Sequence, residues 1–334
     1  MRRTAYFLAA AWIVAERAGR TNAVGEHMRA EHPLDAPVNA AEVPPALPKS
    51  VLVSYRAAVD DLVSETSRYP RAPDLLAVEG LVAKRLGQPE FAVVLAHRDS
   101  GVDMVAARLT REIRAYQPSV RSSASGLPAL IRIFLLSQID SVWWARTAPF
   151  VADADVLCST ELVDLGRLRS AHMLHFRYRA QPAGLPGRAR DWAQRRVLPD
   201  IRPATAGLRF TRSRPEVVAV VNQIARELAA ALPPQTPRLW VNSMVRSVDH
   251  QYRLRSLGYA AVLPSSHCVG YACDLEMRWF RQYDPENLLA RLLLERQEAG
   301  QLNVIDEGQA WHLCVSPLAC AGLRAAYDVE LGAR

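Results

Sequence analysis

The chain has 334 residues, half of them hydrophobic, with five cysteines and a formal charge of +7 at pH 7. That length and composition exclude a disordered protein and accommodate two domains, and so sparse and odd a cysteine set excludes a disulfide scaffold. The positive balance favours anionic partners, such as acidic lipid, nucleic acid or an acidic wall polymer, without choosing among them.

Met1-Arg2-Arg3 followed by the apolar run 5–15 has the charged start and short apolar core of a signal peptide, and it is too short to span a bilayer. Glu16 and Arg17 interrupt the small-residue pattern of a cleavage site. Two readings stay open: export to the periplasm or cell envelope, or a simple N-terminal helix on a cytoplasmic protein. Residues 21–50 gather five prolines among alanines and read as a linker. From 51 to 205 the expectation is a mixed α/β or helix-rich domain, with helices at 51–67, 73–86 and 102–116 and a buried strand at 91–97. The most apolar stretch, 127–144, contains Arg132, Gln138 and Asp140, which argue for the core of a soluble domain and against a membrane span. His97-Arg98-Asp99 lacks the asparagine five residues on that a kinase catalytic loop needs, Met104 standing there.

Arginines crowd 167–214, among them Arg177, Arg179, Arg188, Arg190, Arg195, Arg196, Arg202, Arg209 and Arg212. They read as a solvated basic face or as a contact for an anionic polymer. No nucleic-acid motif accompanies them. Pro215 opens an amphipathic helix that Pro233-Pro234 ends, and a second domain follows over 206–334. Its expected elements are a strand at 239–241, a short helix ending near Gly258, a helix capped by Asp284 with Pro285 in its first position, and a hairpin of 302–305 with 310–315 turning about Asp306-Glu307-Gly308. The fold class expected overall is α+β, with a small antiparallel sheet and flanking helices in the second domain.

Within it, Ser265-Ser-His267-Cys-Val-Gly270-Tyr-Ala272-Cys-Asp274 offers an imidazole and a carboxylate seven residues apart. Gly270 and Ala272 suit the tight turn and close strand packing that would let both meet one ion. A zinc site of catalytic type takes three protein ligands. His312, flanked by alternating apolar residues on a predicted strand, is the third candidate. Cys268, Cys273 and Cys314 are read as packing residues, since alternation turns Cys273 away from Asp274. His250 has nothing but proximity to recommend it and reads as exposed.

The pattern Ser265-x-His267-x-x-Gly270-x-Ala272-x-Asp274, followed by Trp311-His312, resembles the zinc D-Ala-D-Ala carboxypeptidases and dipeptidases of bacterial cell-wall metabolism. Ser243-x-x-Arg246-Ser247-x-x-x-Gln251 resembles a second motif of that family, so the resemblance covers about 239–315. It implies Zn2+ on His267, Asp274 and His312. It also implies a substrate site of Arg246, Ser243, Gln251 and Ser265, with Arg246 on a peptide carboxylate, and peptidoglycan-type peptides as substrate. The family usually carries an acid three positions before its last histidine ligand, where this chain has Gln309. An amide accepts no proton at neutral pH. Glu307 is therefore the expected general base, with Asp306 in reserve. The alternative is a non-catalytic, zinc-stabilised binding module for an anionic partner.

Overall fold

The computed structural model describes residues 47–69, 75–97, 101–117, 124–182, 184, 203, 205–259 and 261–331. The apolar segment 1–20, most of the linker, and Arg188, Arg190, Arg195, Arg196 and Arg202 lie outside the described residues. Five helices come first: α1 (Lys49–Thr66), α2 (Leu75–Leu86), α3 (Pro89–Leu95), α4 (Gly101–Ala115) and α5 (Leu127–Trp143). Residues 91–97 were expected to be a strand but belong largely to α3. Pro89 sits in its first turn, where the missing N–H costs nothing, and a short apolar run carries no periodicity that separates helix from strand. α5 is the centre of this layer. Ile131, Leu135 and Ile139 are fully buried on it, each burial contributing about 1.5–3 kcal/mol. No helix among the described residues is long and apolar enough to cross a membrane.

A short connecting region follows: α6 (Asp153–Cys158), β1 (Val163–Asp164), α7 (Leu165–Ser170), β2 (Arg177–Tyr178) and β3 (Arg212–Ser213). β1 and β3 pair antiparallel. Of the basic stretch, Arg212 donates to the carbonyls of Ser159 and Leu162, and Arg209 pairs with Asp153, so both serve local structure.

The second half contains α8 (Pro215–Ala231), β4 (Trp240–Ser243), α9 (Val248–Ser256), a 3-10 turn (Ser266–Val269), β5 (Ala272–Glu276), a second 3-10 turn (Phe280–Tyr283), α10 (Leu288–Glu298), β6 (Leu302–Asp306), β7 (Ala310–Val315) and α11 (Pro317–Leu331). The predicted helix at Pro215 and the 302–315 hairpin are present. α10 starts later than expected, at Leu288. Asp284 still caps it, its carboxylate accepting from the Leu288 and Leu289 N–H at 2.7 and 2.8 Å, but Pro285 precedes the helix because Asn287 takes a left-handed conformation.

The main sheet runs β2-β4-β5-β7-β6; β2 is parallel to β4 and every other pair is antiparallel. The fold is thus α+β, with a small sheet between helices. Strand alternation sorts its two faces. Cys273, Leu275, Leu302, Val304, Leu313 and Val315 enter one core with Val217, Val221 and Ile224 of α8, Leu293 of α10 and Leu323 of α11. On the opposite face Ile305 and Cys314 join the core of the N-terminal helices. Asp274 and His312 belong, by the same alternation, to this second face, which α5 covers.

Candidate metal centre

Register brings the site together. Asp274 on β5 lies opposite His312 on β7, and on its other side opposite Ser243 on β4, so three motif residues form one row across three strands. His267 arrives from the 3-10 turn just before β5. That turn closes on Gly270 at φ 82°, where a β-carbon would sit 3.3 Å from the Arg214 side chain and 3.4 Å from Phe150. Only glycine meets both demands easily.

His267 Nε2 stands 3.1 Å from Asp274 Oδ1 and His312 Nδ1 stands 3.0 Å from the same oxygen. The ligand atoms of the three residues all lie within 4.8 Å of one another, and all three side chains are buried. The opposite nitrogen of each imidazole is already engaged, His267 Nδ1 with the Met244 carbonyl at 2.7 Å and His312 Nε2 with Asp140 Oδ2 at 2.9 Å. Ring nitrogens held in this way from behind are what metal-ligating histidines show. The donor set of two imidazoles and one carboxylate therefore fits a metal ion, and His267, Asp274 and His312 could hold one.

Electrostatics agree with the geometry. Burial alone would raise the Asp274 pKa, but the neighbouring His267 and His312 and the Arg246 guanidinium hold it well below the usual carboxylate range. Burial and then Arg246 push the His267 pKa down. His312 goes the other way: burial opposes its charge, but hydrogen bonds and charges from Asp140 and Asp274 outweigh this and lift it to about 10. The metal-free site thus holds an ionised Asp274, a neutral His267 and a protonated His312. Burial raises the Cys268 pKa to about 12 and raises those of Cys273 and Cys314. Cys273 and Cys314 enter the two hydrophobic cores and Cys268 is buried, so the packing role expected for them stands.

Arg246 links the two sequence motifs. Its Nε donates to Ser243 Oγ at 2.8 Å, Nη1 to Gln251 Oε1 at 3.1 Å and Nη2 to Asp274 Oδ2 at 2.8 Å. A cavity of about 450 Å3 opens over this group. Ser243, Arg246, Gln251, Ser265, the three ligand candidates, Glu307 and Gln309 all line it. Glu307 and Gln309 are half-buried there. Asp306 is not among the lining residues; its Oδ1 accepts the Gly308 N–H at 2.7 Å and ties the hairpin turn.

One residue differs from expectation and another was not foreseen at the site. His250 is 8% exposed and lines the cavity, its ring edge-on to Phe210, where a solvent-facing side chain was expected. Burial, then Arg246 and Arg209, lower its pKa to about 4. The other is Asp140, 1% exposed on α5, which approaches the site from the helical layer. The signal for it was an acid inside the most apolar helix among the described residues, together with Asn303, a buried amide on β6 that donates to Asp140 Oδ1 at 2.8 Å. Compared with models of known protein families, with curated proteins and with solved structures, the chain has no match.

Proposed function

We propose that the chain is a zinc-dependent peptidase of the carboxypeptidase or dipeptidase type, acting on cell-wall-type peptides such as those ending in D-amino acids. The observation that carries this reading is one cavity holding three convergent ligand atoms, a pinned arginine and a carboxylate outside the ligand set. His267, Asp274 and His312 suit Zn2+, which when bound supplies a Lewis acid for the scissile carbonyl and lowers the pKa of water.

The chain's own residues supply the rest. Ser243, Gln251 and Asp274 occupy three of the five N–H groups of Arg246, which fixes the guanidinium plane and leaves two for a ligand. A terminal carboxylate is the natural acceptor, because charge-assisted pairs to arginine are strong and directional. Charge count favours the same class. Asp140 and Asp274 are balanced by Arg246 and by Arg56, which donates to Asn303 beside Asp140, so a divalent ion leaves this group positive overall and attractive to an anion. Glu307, in the cavity lining, is the acceptor for the attacking water's proton, and Gln309, an amide, orients rather than deprotonates. Ser265, two residues before His267, also lines the cavity.

The test is hydrolysis of a synthetic peptide ending in D-Ala-D-Ala by the zinc-loaded chain, with the C-terminus free or amidated. The reading expects cleavage of the free peptide and much slower cleavage of the amide. Tight zinc binding without hydrolysis of either would instead identify a zinc-stabilised binding module.

A further inference from the structure

Which nitrogen of a histidine faces an ion is decided by what holds the other one. For His267 that partner is a backbone carbonyl of its own neighbourhood, Met244 O. For His312 it is a carboxylate from a different layer of the fold, 172 residues away in the chain. Asp140 Oδ2 lies 2.9 Å from His312 Nε2 and also accepts from Ser266 Oγ at 2.9 Å, while Oδ1 accepts from Asn303 Nδ2 at 2.8 Å. Asn303 is oriented in turn, its amide donating to Leu136 O at 3.0 Å and its oxygen accepting from Arg56 Nη2 at 3.0 Å.

Leucine would pack this position at lower cost, because a carboxylate desolvated to this degree carries a penalty of several kcal/mol. The three donors that converge on Asp140 offset that cost, and two of them belong to the metal-bearing elements. His312 sits on β7. Ser266 is adjacent to His267 on the 3-10 turn. One side chain of the helical layer therefore grips both sources of imidazole.

We propose that Asp140 is a positioning residue of the metal site: it holds the Nε2–H tautomer of His312, turns Nδ1 toward His267 Nε2 and Asp274 Oδ1, and through Ser266 anchors the turn that carries His267. The helical layer is on this account part of the metal centre and not a separate module. The inference rests on the metal reading above and extends it to a residue outside the two sequence motifs.

The experiment uses the full chain and Zn2+, with affinity read by competition against a chromophoric chelator, geometry read from the visible spectrum of the Co2+-substituted protein, and folding read by urea titration in chelator. With affinities measured across pH and corrected for the proton that His312 releases, Asp140→Asn is expected to weaken intrinsic zinc binding by about 10–100-fold. Its new amide would face the Asn303 amide donor to donor, so a second variant exchanges the pair, Asp140→Asn with Asn303→Asp. The exchange restores the donor and acceptor match between positions 140 and 303 and moves the charge away from His312, while it sets a carboxylate against Leu136 O. It is expected to fold with a metal-free midpoint no higher than the parent's, to bind zinc, after the same proton correction, at least about tenfold more weakly, and to shift the cobalt bands. An exchange variant with zinc affinity and cobalt spectrum like the parent's would overturn the proposal and leave Asp140 a structural clasp.

Should both variants fail to fold, the imidazole 15N shifts of His312 in the zinc-loaded parent decide. A protonated Nε2 beside a metal-bound Nδ1 supports the assignment, and the reverse tautomer overturns it. A parent that binds no zinc at all would overturn the metal reading and this inference with it. A zinc-binding parent with indifferent variants sinks this inference alone.

Discussion

Protonation of His312 makes metal binding a proton-displacement reaction, and its size follows from the site. Asp140 and Asp274 flank the two nitrogens at 2.9 and 3.0 Å and lift the pKa from 6.5 to about 10 in the metal-free protein. At pH 7 the proton must be removed from a group about three pH units below its midpoint, which costs about 4 kcal/mol. Zinc affinity should therefore rise about tenfold per pH unit, or about 100-fold between pH 6 and 8, whereas an ordinary imidazole with pKa 6.5 would give about fourfold over the same range. His267, with its lowered pKa, adds less to this slope than an ordinary imidazole would. The sign for stability is opposite in the absence of metal. A pKa raised on folding stabilises the fold fully below the unfolded value of 6.5, and that contribution is lost as pH rises through about 10. The assay is chelator competition across pH 6–8, paired with 15N spectra of metal-free protein, where His312 should remain an imidazolium at pH 8. An imidazole titrating near 6.5 with a shallow affinity slope would refute the reasoning.

Three further outcomes follow from the cavity and its turn. Glu307→Gln should retain zinc and lose about 10²–10⁴-fold in peptide hydrolysis; parental activity in that variant would remove Glu307 as base. Arg246→Ala should raise KM for peptides with a free C-terminus and abolish the preference over amidated ones, with zinc still bound at saturation, since only the Asp274 Oδ2 contact is lost from the ligand set. A preference that survives would place the carboxylate elsewhere. Gly270→Ala should cost about 1–2 kcal/mol from the left-handed backbone alone, and more from the clash with Arg214, which cannot move freely because Val269 O and Glu161 hold it. A urea midpoint equal to the parent's would contradict that account of the turn.

The site was legible where chemistry and spacing coincide. His267, Gly270 and Asp274 lie within eight residues, and alternating apolar neighbours marked His312 as a polar side chain on a buried strand; that it faces Asp274 is set by the β5–β7 register. The hairpin announced itself by Asp306-Glu307-Gly308 between two apolar runs. What stayed hidden was tertiary. Asp140 is separated from His312 by 172 residues, and its acid reads locally only as an oddity in an apolar helix. α9 buries Val248, His250 and Gln251, a spacing too short to form an apolar stripe, so the burial of His250 under the cavity wall had no periodic signature. α3 was misassigned because Phe91, Val94 and Leu95 alone are buried on it and the run is too short to show a helical face.

The claim on which all of this depends is a metal ion held by His267, Asp274 and His312. Anomalous diffraction from a crystal of the zinc-loaded protein, recorded on both sides of the zinc edge, tests it most directly. The account predicts one strong peak within bonding distance of His267 Nε2, His312 Nδ1 and an Asp274 oxygen, and its disappearance in the His267→Ala, Asp274→Ala double variant. No peak at that position, or a peak that persists in the double variant, would contradict it.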